Sequence, residues 1–277
     1  MASAPTASRP LWYVYGIVSS DSLPETMPSG VDDTRVSLEQ RDGVAALVSV
    51  LDDADYTPDA LERKSGDVEW LSPRAVAHDR VLTWASDHAA VVPLPMFSLF
   101  SGKEAVHTML RDRATQLSSA LARVGAGREY ALRVHRVDDE LLAVMPSLSP
   151  RLAELVQSAE AASPGQRYLL ERKLDGEKKS EMRSVTQRIV DEIVSSLAPS
   201  ALAVARSPIP RVTESDAARG TMVLNAAFLV ARDRLEEFQK TLTRLVGERG
   251  IEGAGFRFDF TGPWPPYHFV SERADGE

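Results

Sequence analysis

Five histidines, His78, His88, His107, His135 and His268, are the side chains best suited to acid–base or metal chemistry near neutral pH. Their spacing argues against a metal centre, because none stands in an HxH or HExxH pattern. His78 and His88 fall on one predicted helix, where a core-edge His78 and a surface His88 are the simpler reading. The chain has no cysteine, which excludes disulfides, thiolate chemistry and the common thiolate-bound structural zinc. Gly102-Lys103 lacks the upstream glycine of a phosphate loop, and Glu104 follows it. Asp53 and Asp55 resemble the opening of a calcium loop, but Pro58 fills its glycine slot and Lys64 its terminal glutamate slot. GxSxG and GxGxxG are absent. The chain therefore reads as non-enzymatic, with no cofactor and no metal. A dyad converging from distant positions is the alternative left open.

Binding surfaces are better signposted. Thr261–Val270, TGPWPPYHFV, packs three prolines and three aromatics into ten residues. Proline fixes φ and pushes the preceding residue toward extended geometry, so this ribbon is stiff before it docks. Gly262, Pro263, Trp264, Pro265, Pro266 and Tyr267 form a candidate strap, either closing or sealing the domains or presenting a ribbon to a partner. The second candidate is the run Arg167–Lys173, RYLLERK. It reads either as a solvated face with Leu169 and Leu170 in the core, or as a docking helix in which Arg167, Tyr168, Arg172 and Lys173 meet an acidic partner.

Composition sets the frame for these surfaces. The 277 residues suggest about two domains. With 43% hydrophobic and 26% charged residues, the chain is ordinary for a globular protein. A net charge of −8 argues against broad nucleic-acid binding and against docking on anionic lipid. No apolar run approaches the length of a membrane span, and the N-terminus lacks the apolar core of a signal peptide. Residues 1–10 and 271–277 read as disordered tails.

The elements that must position the surfaces follow from periodicity. Leu11–Val18 suits a strand buried on both faces. Val36–Arg41 and Val44–Val50 form a hairpin about Asp42-Gly43. Ser72-Pro73 suggests a helix start, stapled by Leu71 and Val76, with an inner stripe of Ala75, His78, Leu82, Ala85 and Ala89. Val91–Phe100, broken by Pro93 and Pro95, suits an edge strand or connector. A single helix is expected over Gly102–Val124, ended at Gly125-Ala126-Gly127, the expected domain boundary. Beyond it come a strand at Glu129–Val137 with Arg133 and His135 outward, and a helix capped by Ser149-Pro150. A long helix then runs to about Ala198, standing in solvent or bending near Gly176. Strands at Leu202–Arg206 and Thr221–Val230 follow, then a helix over Arg232–Glu248 with Val246 inward, and a strand at Phe256–Phe260. The expected architecture is α+β in two domains: an N-terminal α/β-type domain at 11–126, and a ferredoxin-like βαββαβ domain at 127–270 with an extended first helical crossover.

Several ordered motifs resemble the gas vesicle synthesis proteins of the GvpF/GvpL family. These are the opening strand Trp12–Val18, Ala77-His78-Asp79-Arg80-Val81-Leu82, the run Gly165–Lys173, and Thr261–Tyr267. In the segment 91–100 the family usually reads near VLPLRFGTVF, and here Pro95, Met96 and Phe97 stand where Arg, Phe and Gly are common. The resemblance implies a non-enzymatic accessory or minor component of gas vesicle assembly, located at the vesicle within the cytoplasm. Its implied partners are the small hydrophobic shell protein and other gas vesicle accessory proteins. A small-molecule sensor or enzyme on a ferredoxin-like fold is the alternative.

Overall fold

A computed structural model describes residues 10–19, 23–52, 55–210 and 219–270. The tail at 271–277, all of the tail at 1–10 except Pro10, Asp53, and most of the loop Ser207–Gly220 lie outside the described residues. The fold is α+β, and contacts divide it into two compact units. One runs to Glu129 and resumes at Pro263, and the other is Tyr130–Gly262.

The first unit is built on β1 (Leu11–Ser19), which pairs antiparallel with β3 (Val44–Leu51) on one side. On its other side it pairs antiparallel with β4 (Val91–Pro93) and β5 (Leu99–Phe100). β2 (Ser37–Arg41) lies outside β3. Asp42 and Gly43 both have positive φ, 49° and 82°, as a tight two-residue hairpin demands. Pro93 and Pro95 confine the 91–100 segment to the sheet edge, where Leu94 donates to the Tyr15 carbonyl at 2.9 Å. The expected α/β character therefore takes another form, since each of these pairings is antiparallel and helices cover both faces.

A register shift in β1 between Val14 and Gly16 explains how this strand serves two cores. Tyr13 and Tyr15 face α2 (Val68–His88), while Val14 and Ile17 share a core with α3 (Lys103–Asp112) and α4 (Ala114–Val124). Inserting one residue moves every later side chain to the other face, so Val18 rejoins Tyr13 and Tyr15. Gly16 sits at the shift because a Cβ there would lie 2.8 Å from Leu82 Cδ2 and 2.9 Å from the Val92 carbonyl.

Two helical expectations are corrected, and one helix appears that was not expected. α2 begins at Val68, capped by Asp67, which accepts from the Glu69 and Trp70 amides. An Asp side chain satisfying two orphan amides outcompetes Ser72, and Pro73, the sixth residue of the helix, lies past the first turn and so brings no amide for the Glu69 carbonyl. The inner face is accordingly Ala77, His78, Val81, Leu82, Ala85 and Ser86, with Ala75 and Val76 exposed. The expected single helix over Gly102–Val124 divides at Arg113 into α3 and α4, and nothing in the local sequence marks the break. The polar stretch before Lys64 contains a short helix, α1 (Pro58–Lys64), capped by Thr57. Lys64, the residue in the calcium-loop glutamate slot, pairs with Asp55 at 2.7 Å.

In the second unit the sheet order is β7 (Ala203–Arg206), β8 (Thr221–Ala231), β6 (Gly127–Arg136), β9 (Phe256–Trp264). β6 and β9 each run across the boundary between the units. α5 (Asp138–Leu148), α6 (Pro150–Glu160), α7 (Pro164–Leu197), α8 (Leu235–Arg249) and α9 (Ile251–Ala254) complete it. α5 and α9 were not legible as helices. Ser149 caps α6 by accepting from the Leu152 amide at 3.3 Å. α7 is unbroken at Gly176 and runs for 34 residues, about 50 Å. One core joins Leu132 and Val134 of β6, Leu141 of α5, Leu152 of α6, Val185, Ile189 and Ile193 of α7, and Phe228, Phe238 and Phe256. Val246, expected inward, is exposed: α8 already fills that core with Phe238, Leu242 and Leu245.

Candidate functional site

In the first unit residues 265–270 form a clip. Past β9, Pro265 and Pro266 are buried and a single helical turn, α10 (Tyr267–Val270), follows. Two successive prolines suit this position because neither brings an amide that would need a partner in the interior. Tyr267 donates its amide to the Pro265 carbonyl at 2.8 Å, and Val270 packs on the core shared with α4. Trp264 is 43% exposed, so the prolines and not the indole are the residues driven inside.

Two polar connections fix the clip. Glu129 of β6, only 3% exposed, accepts the His268 amide at 2.9 Å on one oxygen, and its other oxygen lies 2.6 Å from His268 Nδ1. A buried carboxylate is costly unless its lone pairs are met by donors, and His268 meets both oxygens. Its neighbour Arg128 is also buried and is paired with Asp87 near the end of α2. The second connection is a chain of rings. Tyr13 Oη lies 2.7 Å from His78 Nδ1, and His78 Nε2 lies 3.3 Å from Tyr267 Oη. The Phe97 amide donates to Tyr13 Oη at 3.2 Å.

This chain of rings is held neutral. Burial pushes the His78 imidazole down to about 4. Burial also pushes the Tyr13 phenol upward, and the Tyr267 phenol up to about 12. A neutral imidazole between two phenols is a structural hydrogen-bond relay, in which the tautomer of His78 sets which ring nitrogen donates.

Beside it lies a cluster that the sequence did not announce. Arg74 pairs with Asp32 at 2.7 Å, donates to Tyr56 Oη at 3.0 Å and lies 4.2 Å over the Trp70 ring. Tyr56 donates to Asp32 as well, and burial first, then Asp32, raises its phenol pKa. Asp32 at φ 52° and Phe97 at φ 64° both hold left-handed backbone, which costs free energy in residues other than glycine. The Phe97 ring stacks on Trp70 at 5.5 Å. Phe97 thus holds a backbone conformation that favours glycine while placing a ring on Trp70.

The second candidate lies in the second unit. Arg167 turns back to the end of α6, donating to the Ala159 and Glu160 carbonyls at 3.1 and 3.3 Å, a cap on free carbonyls. It is therefore separated in role from Tyr168, Arg172 and Lys173, which face solvent. Tyr168 is 63% exposed and Leu169 66%, so Leu169 is not core, while Leu170 is half-buried. His135, expected outward on β6, is buried, with Nδ1 3.6 Å from Asp259 Oδ2 on the neighbouring β9. Alternation along a strand assigns a face but not the cover on that face. Among the described residues no three His, Asp or Glu side chains gather as a metal site would require, and no helix is long and apolar enough to cross a membrane.

Residues 11–271 match the family model described as gas vesicle synthesis protein GvpL/GvpF. Gas vesicle protein L1 of Halobacterium salinarum is 27% identical over 94% of this chain and 90% of its own length. Gas vesicle protein L of a Streptomyces species is 25% identical over 94% and 92%. Among solved structures, the gas vesicle protein GvpF of Anabaena superposes with a TM-score of 0.64 at 20% identity, covering 95% of this chain and 96% of that one. GvpF of Microcystis aeruginosa superposes with a TM-score of 0.63 at 19% identity, covering 94% and 99%. These two likenesses establish the shared fold.

Proposed function

The chain belongs to the gas vesicle synthesis protein GvpL/GvpF family, and from that premise we propose that it is a non-enzymatic assembly factor or minor structural component of gas vesicles. In this reading it binds the hydrophobic shell protein while vesicles form, with other gas vesicle accessory proteins as further partners, and it resides at the vesicle within the cytoplasm. The observation that carries the reading is the extent of the family match, which takes in both sheets and the clip.

The reading treats the chain as a two-domain scaffold whose second domain is ferredoxin-like. The sheet order β7-β8-β6-β9 supports this, since it sets the first and third strands of a βαββαβ unit side by side at the centre. Two surfaces are offered to partners: the exposed Trp264 and Tyr267 of the strap, and the solvent face of α7 at Tyr168, Arg172 and Lys173. A sensor or enzyme would need polar groups converging on open space, whereas Tyr13 and His78 are buried and bonded to each other.

Deleting the gene in a vesicle-forming host tests the function. Vesicles should be lost or sharply reduced, and the wild-type gene should restore them. Normal vesicle formation in the deletion strain would overturn the proposal.

A further inference from the structure

α7 changes its surroundings along its length. From Met182 onward its inner stripe enters the core of the second unit, and before that point α6 packs along it through Leu155 and Leu174. In this stretch Asp175, Glu177 and Glu181 are engaged, while Glu171 is exposed. Glu177 pairs with Arg151 at 2.9 Å, Glu181 accepts from Ser149 Oγ at 2.7 Å, and Asp175 pairs with Lys178 at 2.8 Å. The cations lie elsewhere. Tyr168, Arg172, Gly176, Lys179 and Arg183 recur at offsets of four, four, three and four, the spacing of one helical face, and all five are exposed. Lys173 flanks them. Among the described residues, Arg172, Lys179 and Arg183 form no ion pair.

Gly176 lies in the middle of this face. Glycine inside a helix destabilises it relative to alanine, so some contact should justify it. Among the described residues nothing does, because a Cβ there would meet nothing within 4 Å. A glycine facing open space, ringed by cations, leaves a shallow saddle where another backbone can approach closely.

We propose that this face of α7 is the docking site for an acidic amphipathic helix of a partner protein, which crosses at Gly176. Its carboxylates meet Arg172, Lys173, Lys179 and Arg183, and its apolar edge meets Tyr168. Charge complementarity selects this occupant. The chain as a whole carries −8, so an acidic segment is repelled over most of the surface and attracted to this stripe. A short cationic stripe around a glycine saddle fits one helix better than it fits the repeating phosphates of a nucleic acid, which need a broad basic surface. The inference rests on reading α7 as a docking element and not on the identity of the shell protein as partner, so the two fail separately.

The test uses the full chain and a fluorescent, glutamate-rich amphipathic helical peptide, with its glutamine counterpart and a single-stranded oligonucleotide as controls, read by anisotropy. The glutamate peptide should bind about tenfold or more tighter than the glutamine peptide, and more weakly as salt rises. The combined variant Arg172→Glu, Lys179→Glu, Arg183→Glu should lose about tenfold or more in affinity. Gly176→Leu should lose binding while raising the melting temperature, because leucine is the better helix former and a loss of fold is then ruled out. Equal binding of the two peptides, unchanged binding by either variant, or tighter binding of the oligonucleotide than of the glutamate peptide would overturn the proposal.

Discussion

Acidification from pH 6.5 to 4 is expected to remove about 3 kcal/mol of stability from the first unit through His78 alone. The ring is 4% exposed, and burial lowers its pKa from 6.5 to about 4. The gap of about 2.5 units, at 1.36 kcal/mol per unit, gives the figure. In this window the folded state binds fewer protons than the unfolded chain, so stability is complete above pH 6.5 and falls as the pH drops toward 4. Carboxyl groups act later or in the opposite direction. Glu39, where bonds from Lys103 and His107 outweigh the upward push of burial, contributes stability that is lost only below its ordinary value of 4.5. Asp79, raised by burial, runs the other way. Their effects cancel in a comparison of wild type with His78→Gln, which keeps a side-chain acceptor for Tyr13 and does not titrate. The four tryptophans, Trp12, Trp70, Trp84 and Trp264, all belong to the first unit, so their fluorescence during urea unfolding reports on it selectively. Between pH 7 and 4.5 the wild type should lose about 2–3 kcal/mol more than His78→Gln. Parallel pH profiles for the two proteins would refute the neutral phenol–imidazole–phenol relay.

Glu129→Ala should cost about 1.5–3 kcal/mol, since it strips two bonds to a charged acceptor, and should raise hydrogen exchange at the His268 amide; an unprotected amide in the wild type would contradict the clip. Trp264→Ala should change stability by no more than about 1 kcal/mol, because the ring is half in solvent, whereas a buried indole would cost about 3–5. Denaturant titration separates these values, and loss of partner binding at unchanged stability would mark the ribbon as a contact surface.

Elements announced by apolar runs were legible. The hairpin at Asp42-Gly43, the edge position of the proline-broken segment, the Ser149 cap and the core stripe Met182–Leu197 all follow from local rules. What escaped depends on cover supplied from elsewhere. β1 alternates on both faces, so its sequence conceals the register shift at Gly16 that only close packing against Leu82 and Val92 requires. His135 is a polar position on a strand and reads as exposed, until Asp259 arrives from β9, and Glu129 gains its partner only when His268 arrives from the C-terminal turn. The adjacent opposite charges of Arg128-Glu129 at a strand entry were the available signal for the clip. The strap itself was visible as a stiff ribbon, but which of its residues are buried, the prolines and not the indole, was not. Asp32, Tyr56 and Arg74 are 24 and 18 residues apart and carry no shared motif, so their meeting depends on tertiary structure.

The claim that matters most is that this chain binds the gas vesicle shell protein. Co-expression of the two, with affinity capture of the tagged chain, tests it most directly. The account predicts that shell subunits are retained with the chain and that replacing exposed residues of the strap or of the α7 face reduces the retention while the fold stays intact. Shell subunits passing through unretained, with the chain folded and vesicles forming in its absence, would contradict it.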